Sequence, residues 1–527
     1  MQSSAPTSPE ITENSTSLQA TFLRWLPALI TVLFIAGVLR SLLASFQSGV
    51  PWMVYEEDDF FYYLKVAQNL AHGAGSTFNG IVPTNGYHPL WLVVLTVFSF
   101  LTTNPHHVMV FLSACIFIAT LATYFLSRAI IRRSGINDVL ATALAIYVAL
   151  YSLHIFAGGM EIILTVPLLL ALLVLLEDVP FWSRGLFPAA SVGLLASAMI
   201  LSRLDSIILA ALLGAALVLH PVTRRALTPR VLAGIGLGLL PVALYFLSNQ
   251  VIFHTWLPVS GMAKQLKFDH SFSSPAISSL LGKTPLQLVS ALIGPLALLV
   301  LPLLWKRLDA VQQATYPVVI LFPFLYVAIL STRSDWKIWD WYFYSFRVSL
   351  CVTLTILCML PPVRFTAWLR AGGAVLAIAM IVLTFRTRTS TGDRRAIYET
   401  AKDIQQFATT HPGIYAMGDR SGMVAYLTTV PIVQTEGLVM DRDFLHEIQQ
   451  QTPLRSVLAK YNVRYFIATD YPPYPNGCVR VSEPHQAGTN SPHMIGIFCE
   501  TPVAVWQRRD NRTLIFDLDR SLSVNRP

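Results

Sequence analysis

The sequence predicts an all-α polytopic membrane protein with a small α/β domain outside the bilayer at its C-terminal end. Three observations carry this expectation. Of 527 residues, 54% are hydrophobic and only 13% are charged, where soluble chains carry roughly 25% charged residues. Several apolar stretches reach the roughly 20 residues needed to cross a hydrocarbon core, and 24–46, 106–131 and 285–304 are the clearest. From Thr391 onward, strand-like runs (GIYAMG, YLTTVPIVQ, VRYFIATD, VAVWQRR) alternate with helical stretches such as YETAKDIQQFATT, the pattern of an α/β domain. The formal net charge of +8 collects in short loops between apolar segments. Lys and Arg there set membrane orientation, so the charge implies no nucleic-acid partner.

Residues 1–22 are polar and read as a disordered cytoplasmic arm. They lack the basic region and cleavage site of a signal peptide, so the helix from Arg24 is retained. Further spans are expected near 138–156, 161–177, 186–202, 206–220, 231–250, 285–304, 313–331, 346–361 and 366–385. The basic loops (Arg128, Arg132 and Arg133; Arg224, Arg225 and Arg230; Lys306 and Arg307; Arg364 and Arg370) belong on the cytoplasmic side. The loops 47–88, 157–160, 203–205, 251–284 and 332–345 are then external. Residues 89–103 and 106–131 are both apolar, and if both crossed, every later basic loop would face the wrong side. Treating 89–103 as re-entrant or interfacial leaves about 11 spans, with 13 as the upper bound. The chain then divides into a transmembrane unit over 23–390 and an external domain over 391–527.

Cys115, Cys351 and Cys358 lie in apolar spans, where a free thiol behaves as a small hydrophobe. Cys478 and Cys499 fall in the external domain. An oxidising compartment lets them pair, which would stabilise the domain by about 3 kcal/mol; two buried thiols are the alternative. The turn GDRSGM (418–423) is a weak phosphate signal and a stronger strand–helix turn.

The first external loop opens with four consecutive acids, Glu56, Glu57, Asp58 and Asp59. An acid at the N-terminus of the helix FFYYLKVAQNLAHG would stabilise it by about 0.3–1 kcal/mol, with Gly73 ending the helix. Phe60, Leu64, Ala67 and Ala71 make one stripe, the pattern of a helix lying on a membrane surface. Capping needs one acid, however. Four adjacent carboxylates repel and raise the pKa of at least one, which suits a general base. Asp58, Asp59, Glu161, Asp205, Asp269, Asp335 and Asp340 all fall on the same external face, which points to a shared polar site or to hydrated loop charge. The aromatic set Trp336, Trp339, Trp341, Tyr342, Phe343 and Tyr344 reads as an interfacial belt, with sugar stacking as the second reading.

The stretch DDFFYYLKVAQNLAHGAGSTFNGIVPTNGYHPLW closely resembles the first external loop of the GT-C superfamily of integral membrane glycosyltransferases. The resemblance lies in Asp58-Asp59, Tyr62-Tyr63 and the Asn85-Gly86-Tyr87-His88-Pro89 turn. Weaker similarities follow in order: Gly158-Gly159-Met160-Glu161, Ser202-Arg203-Leu204-Asp205, Leu257-Pro258 before Ala263-Lys264, and Asp340-Trp341-Tyr342. The α/β tail with GDRSGM is similar to the external domain of bacterial members.

The resemblance implies an inverting transfer of a sugar from a polyprenyl-phosphate donor to a cell-envelope glycan, lipid or protein acceptor. It implies a site on the external face of the inner (plasma) membrane. Such a reaction needs a base for the acceptor hydroxyl and positive charge for the departing phosphate. Asp58 is the first choice as base and Asp59 the second. Lys264, Arg203, Arg347 and His88 are the candidates for the donor phosphate. Tyr62, Tyr63, Tyr87, Glu161, Asp205 and Asp340 are the candidates for substrate contacts. No His/Cys cluster has zinc-like spacing; the acids have the oxygen chemistry for a hard divalent ion, but no cofactor is expected. A multi-span transporter or flippase for lipid-linked sugars is the competing reading. Transporters tend to show internal repeats and midplane ionisable residues, neither of which is evident here. A receptor or scaffold built on the C-terminal domain would leave the first loop unexplained.

Overall fold

The structure is a computed structural model, and it describes residues 10–47, 51–282, 285–360, 366–384, 392–509 and 511–519. The chain enters through α1 (Glu10–Gln47), a turn at Trp52–Tyr55 and α2 (Asp58–Ala71). A loop rich in turns leads to α3 (Pro89–Leu101), α4 (Pro105–Arg132), α5 (Asp138–Phe156) and α6 (Ile162–Glu177). A short turn α7 (Val179–Trp182) precedes α8 (Leu186–Ser202), α9 (Ile207–Leu219) and α10 (Pro221–Ala226). Then come α11 (Pro229–Gly238), α12 (Leu240–Phe253), α13 (Val259–Ala263), α14 (Pro275–Leu281), α15 (Pro285–Leu304), α16 (Ala310–Arg333), α17 (Ser345–Leu357) and α18 (Thr366–Thr384).

The helix starts are written locally. Asn104 accepts the amide of His106 ahead of α4, Asn137 that of Leu140 ahead of α5, and Asp309 forms a capping box with Gln312 ahead of α16, each satisfying amides that a helix N-terminus leaves without partners. Among the described residues, five helices are long and apolar enough to cross a membrane: Arg24–Phe46, Pro105–Arg132, Asp138–Phe156, Leu288–Arg307 and Ala310–Arg333. Five more apolar helices are shorter. The stretch expected to be one span over 231–250 is a broken pair, α11 and α12, bent by 46°. Its first half is pressed against α8 through glycine. A Cβ on Gly193, Gly234 or Gly238 would meet a carbonyl oxygen of the facing helix at 2.1–2.2 Å, the close approach that small residues allow between membrane helices.

Helix α3 has 13 residues, about 20 Å at 1.5 Å per residue and short of a hydrocarbon core. It packs on α2 and α8. Helix α1 begins at Glu10, inside the stretch expected to be disordered, because the helix continues upstream of the apolar segment. Residues 1–9 and Arg364 lie outside the described residues.

The C-terminal part begins with α19 (Gly392–Thr410) and runs through β1 (Ile414–Met417), α20 (Ser421–Leu427), β2 (Ile432–Gln434), α21 (Arg442–Gln449), α22 (Leu454–Lys460) and β3 (Val463–Thr469). It ends with β4 (Val479–Glu483), β5 (Met494–Phe498), β6 (Ala504–Arg508) and β7 (Asn511–Asp517). The main sheet has the order β2-β1-β3-β7-β6. β1 is parallel to both β2 and β3, and β7 is antiparallel to β3 and β6. A separate hairpin, β4-β5, carries the ends joined by a Cys478–Cys499 disulfide. The strand expected over all of YLTTVPIVQ is shorter, since its first residues finish α20; β4, β5 and β7 were not anticipated.

Helix α2 does not lie on a membrane surface with one face free. Phe60, Phe61, Tyr62, Tyr63, Leu64, Val66 and Ala67 are all buried, because α3 covers one side and α20 of the C-terminal domain the other. The domain is tied to the helical part elsewhere as well. Trp336 pairs with Ala487 in a β-bridge, Lys337 donates its amide to the Gln486 carbonyl at 3.2 Å, and Gly488 donates to the Asp335 carbonyl at 2.8 Å.

Candidate functional site

The acid cluster straddles the start of α2. Glu57 takes the N-cap position without a side-chain cap bond, and Asp58 and Asp59 occupy the first turn, where the helix dipole favours negative charge. One residue apart on a helix, the two side chains point about 100° from each other. Asp58 points to the C-terminal domain. Its two oxygens accept the amides of Gly422 (2.9 Å) and Met423 (2.8 Å), so it serves the N-terminus of α20 rather than that of its own helix. Burial pushes its carboxyl up to about 7, against the pull of those two amides. Asp59 points instead into two cavities and lines both. Burial raises its pKa, and the Lys264 ammonium opposes the rise.

The first cavity has a volume of about 560 Å³. Its polar lining includes Asp59, His88, Glu161, Arg203, Asp205, Lys264 and Arg333. The remainder is largely apolar, with Ile207, Ile208, Phe246, Leu257, Ile329 and Leu330 among its walls. All four weaker sequence motifs meet here. Glu161 accepts from Tyr63 Oη at 3.2 Å and pairs with Arg203 Nη1. Arg203 Nε reaches both oxygens of Asp205 at 3.1 Å. Asp205 also accepts from the phenols of Tyr326 and Tyr344, the latter at 3.4 Å. Arg203 is thus neutralised by two carboxylates and stacked over Tyr342 at 4.6 Å. Its burial is tolerable because it is paired and bonded.

Lys264 has a different environment. It follows α13, and its Nζ donates to the Tyr342 phenol at 2.9 Å, leaving an ammonium beside Asp59 at the cavity wall. His88 accepts the Leu204 amide through Nδ1 at 3.2 Å, and its Nε2 lies 3.8 Å from Glu161. Burial lowers its pKa. A neutral ring accepting at Nδ1 carries its proton on Nε2, toward Glu161.

The second cavity, of about 500 Å³, lies between the helical part and the C-terminal domain. It shares Asp59, Lys264, Trp341 and Leu438 with the first. Its helical wall carries Trp336, Lys337, Trp339 and Asp340, and its domain wall carries Asp419, Arg420, Glu436 and Gln486. Asp419 and Asp470 follow the carboxyl ends of β1 and β3, and Glu436 follows β2. In open α/β sheets the crevice at those ends is where ligands bind. Arg420 joins the two edges by pairing with Asp470 at 2.7 Å and Asp419 at 3.4 Å. Burial raises the pKa of Glu436, and that of Glu483 to about 7.

The structure brings Asp59, Tyr62, Tyr63, His88, Glu161, Arg203, Asp205 and Lys264 to the first cavity and Asp58 and Asp340 to the second. It leaves out two expected residues. Arg347 is buried in α17, where Nη1 donates to the Phe343 carbonyl at 2.8 Å and the guanidinium sits 4.2 Å from the Tyr151 ring centroid. It lines neither cavity, because one turn of α17 separates it from the aromatic loop. Tyr87 bonds Ser76 at 2.7 Å and braces its own loop; the neighbouring Gly86 lines the cavity instead. The expected interfacial belt is also corrected. Trp336, Trp341, Phe343 and Tyr344 are at most 7% exposed: Trp336 is bridged to Ala487 of the C-terminal domain, Phe343 packs among Ala276, Val327, Ile338 and Phe346, and Tyr344 sits against Asp205 and Tyr326. Asp335 and Asp269 hold the domain loop through Asn490, each at 2.8 Å.

Asp419 and Glu436 were missed. Their signal was positional, just past two predicted strands, and becomes readable only once those strands are parallel. Among the described residues, no three His, Cys, Asp or Glu converge as a metal-holding group.

No protein-family model matches the sequence, and no curated protein matches it. Among solved structures, the chain is similar to ArnT from Cupriavidus metallidurans bound to undecaprenyl phosphate. That likeness has 12% identity over 84% of this chain and 93% of that one, with a TM-score of 0.53. It is equally similar to ArnT of that organism in the apo state, with 14% identity, the same coverage and a TM-score of 0.54. At such identities the likeness is one of fold. The chain therefore has the fold of ArnT.

Proposed function

We propose that this protein transfers a sugar from a polyprenyl-phosphate donor to an acceptor hydroxyl, with inversion at the anomeric carbon, on the external face of the inner membrane. The observation that carries the proposal is the common wall of the two cavities, where Asp59 and Lys264 stand together. The largely apolar cavity suits a lipid-linked donor, and the polar one suits an acceptor.

In this reading Asp59 takes the proton of the acceptor hydroxyl, and the acceptor oxygen bonds to the anomeric carbon. The bond from that carbon to the phosphate oxygen breaks, and the polyprenyl phosphate leaves with the electron pair. Lys264 holds the charge that develops on the leaving phosphate, with Arg203 and His88 beside it. Phosphate is already a good leaving group, so neither a strong general acid nor a metal is needed. Asp59 is assigned the base in place of Asp58, because both oxygens of Asp58 are occupied by amides. Glu161 and Asp205 keep Arg203 charged and in place. The lipid held in the ArnT complex, undecaprenyl phosphate, is of the same chemical class as the donor's carrier. Loop charge and the Cys478–Cys499 bridge support an external site.

The test is sugar transfer in membranes supplied with radiolabelled polyprenyl-phosphate monosaccharides. Transfer by the native chain, lost in Asp59→Asn with expression and melting intact, supports the proposal. Movement of lipid-linked sugar across vesicles without any transfer would replace it with a flippase.

A further inference from the structure

The second cavity bears on the acceptor, given the glycosyltransferase reading on which this step rests. We infer that it takes an uncharged, polyhydroxylated glycan and discriminates against phosphate-bearing acceptors. Its volume of about 500 Å³ is within the roughly 300–1,000 Å³ of ligand sites and leaves room for sugar units.

Charge is the first argument. Among the lining residues, carboxyl groups outnumber cations eight to four, although burial raises the pKa of Glu57, Asp58, Asp59 and Glu436 and so reduces the negative charge they carry. Asp59, Asp340, Asp393, Asp419 and Glu436 belong to the acidic set. The cations are committed. Arg394 pairs with Glu57 and donates to the Tyr55 carbonyl at 2.9 Å. Arg420 is held between Asp419 and Asp470. Lys337 stands 4.4 Å over the Trp339 ring, and Lys264 faces the donor cavity as well. A phosphate here would meet like charge at short range, in a site where screening is weak. Hydroxyl groups, by contrast, donate to carboxylates in charge-assisted hydrogen bonds, the stronger class.

Shape is the second argument. Trp339 and Trp341 are parallel to within 8°, with ring centroids 5.9 Å apart. Both line the cavity, and Trp341 reaches the wall shared with Asp59. Aromatic edges among acceptors of hydrogen bonds match a sugar ring, whose faces carry C–H groups and whose rim carries hydroxyls; the Trp339 face under Lys337 opens to a ring only if that side chain swings aside.

The experiment uses the full chain in lipid nanodiscs. Binding of neutral gluco-, manno- and galacto-oligosaccharides is measured by tryptophan fluorescence, against the same sugars carrying a 6-phosphate. At least one neutral sugar is expected to bind about 10-fold or more tightly than its phosphorylated form, a difference of about 1.4 kcal/mol. Trp339→Ala should weaken that binding by a similar factor, while Trp339→Phe, which keeps a ring, should retain most of it. Asp393→Lys should narrow the gap between neutral and phosphorylated sugars. Equal or tighter binding of phosphorylated sugars overturns the inference, and so does the absence of binding by every neutral sugar. Release of polyprenyl phosphate from the labelled donor is followed in the same nanodiscs. If the donor is turned over while the neutral preference fails, the acceptor inference falls alone. If no donor is turned over, the glycosyltransferase reading falls with it.

Discussion

Asp58 is bound to Gly422 across the seam between the helical part and the C-terminal domain. The Gly422 amide reaches Asp58 Oδ2 at 2.9 Å, and a Cβ on Gly422 would stand 2.4 Å from the Asp58 carbonyl oxygen. The contact thus requires both the acid and the glycine. It also holds the first turn of α2 in place, and with it the neighbouring Asp59.

The two acids should therefore separate in experiment. Asp58→Asn loses one of two amide bonds and should lower stability by about 1–2 kcal/mol, with transfer falling in parallel. Gly422→Ala should behave the same way through the steric conflict. Asp59→Asn should leave the melting temperature unchanged and cut transfer by about 10²–10⁴-fold. Melting curves and single-turnover assays on the three variants check this.

Lys264→Gln should lower kcat by about 10²–10³-fold, the scale of losing one stabiliser of a developing charge. It should affect KM for the donor less, provided the ammonium acts mainly on the departing phosphate. An equal loss in binding alone, measured with undecaprenyl phosphate as ligand, would make Lys264 a ground-state contact.

Burial raises the pKa of Asp59, and a base works only when ionised. Transfer should therefore rise with pH, with an acidic limb above the ordinary carboxylate range. In the pH–rate profile of kcat, Asp59→Asn should remove that limb along with the activity, and a limb at the ordinary carboxylate position would count against the assignment.

Glu483 responds to pH through stability. Its pKa rises from 4.5 to about 7 on folding, chiefly by burial. The folded state holds a proton that the unfolded chain releases, so this contribution is full below about 4.5 and is lost as pH rises through about 7. Glu483→Gln keeps an oxygen for Tyr471 Oη, now at 2.9 Å, and carries no charge. It should melt higher than the native chain at pH 8 and nearly the same at pH 4, as thermal scans at both values would show.

Glu161→Gln should destabilise the protein by up to about 3–5 kcal/mol, the cost of breaking a buried ion pair. Asp205 remains beside Arg203, which should hold the loss toward the lower figure. Denaturation in detergent against the native chain measures it.

The sequence by itself determined the membrane class, the positions of the long helices, the α/β character of the tail and the acids that open α2. These are readable because hydropathy, helix caps and strand-like runs act over a few to about 20 residues. Only the tertiary structure decided what the individual residues do. Asp58 and Asp59 are chemically alike and adjacent, and they diverge because Gly422, 364 residues away, reaches only one of them. Trp336 reads as part of a belt facing lipid until the C-terminal domain covers it. Arg347 read as a phosphate ligand until its helix turned it toward Tyr151. Asp419 and Glu436 were marked only by their position just past two strand-like runs, and their place at the cleft depends on parallel pairing of β1 with β2 and β3. Contacts between residues far apart in sequence follow from packing whole elements together, and a local pattern carries no record of them.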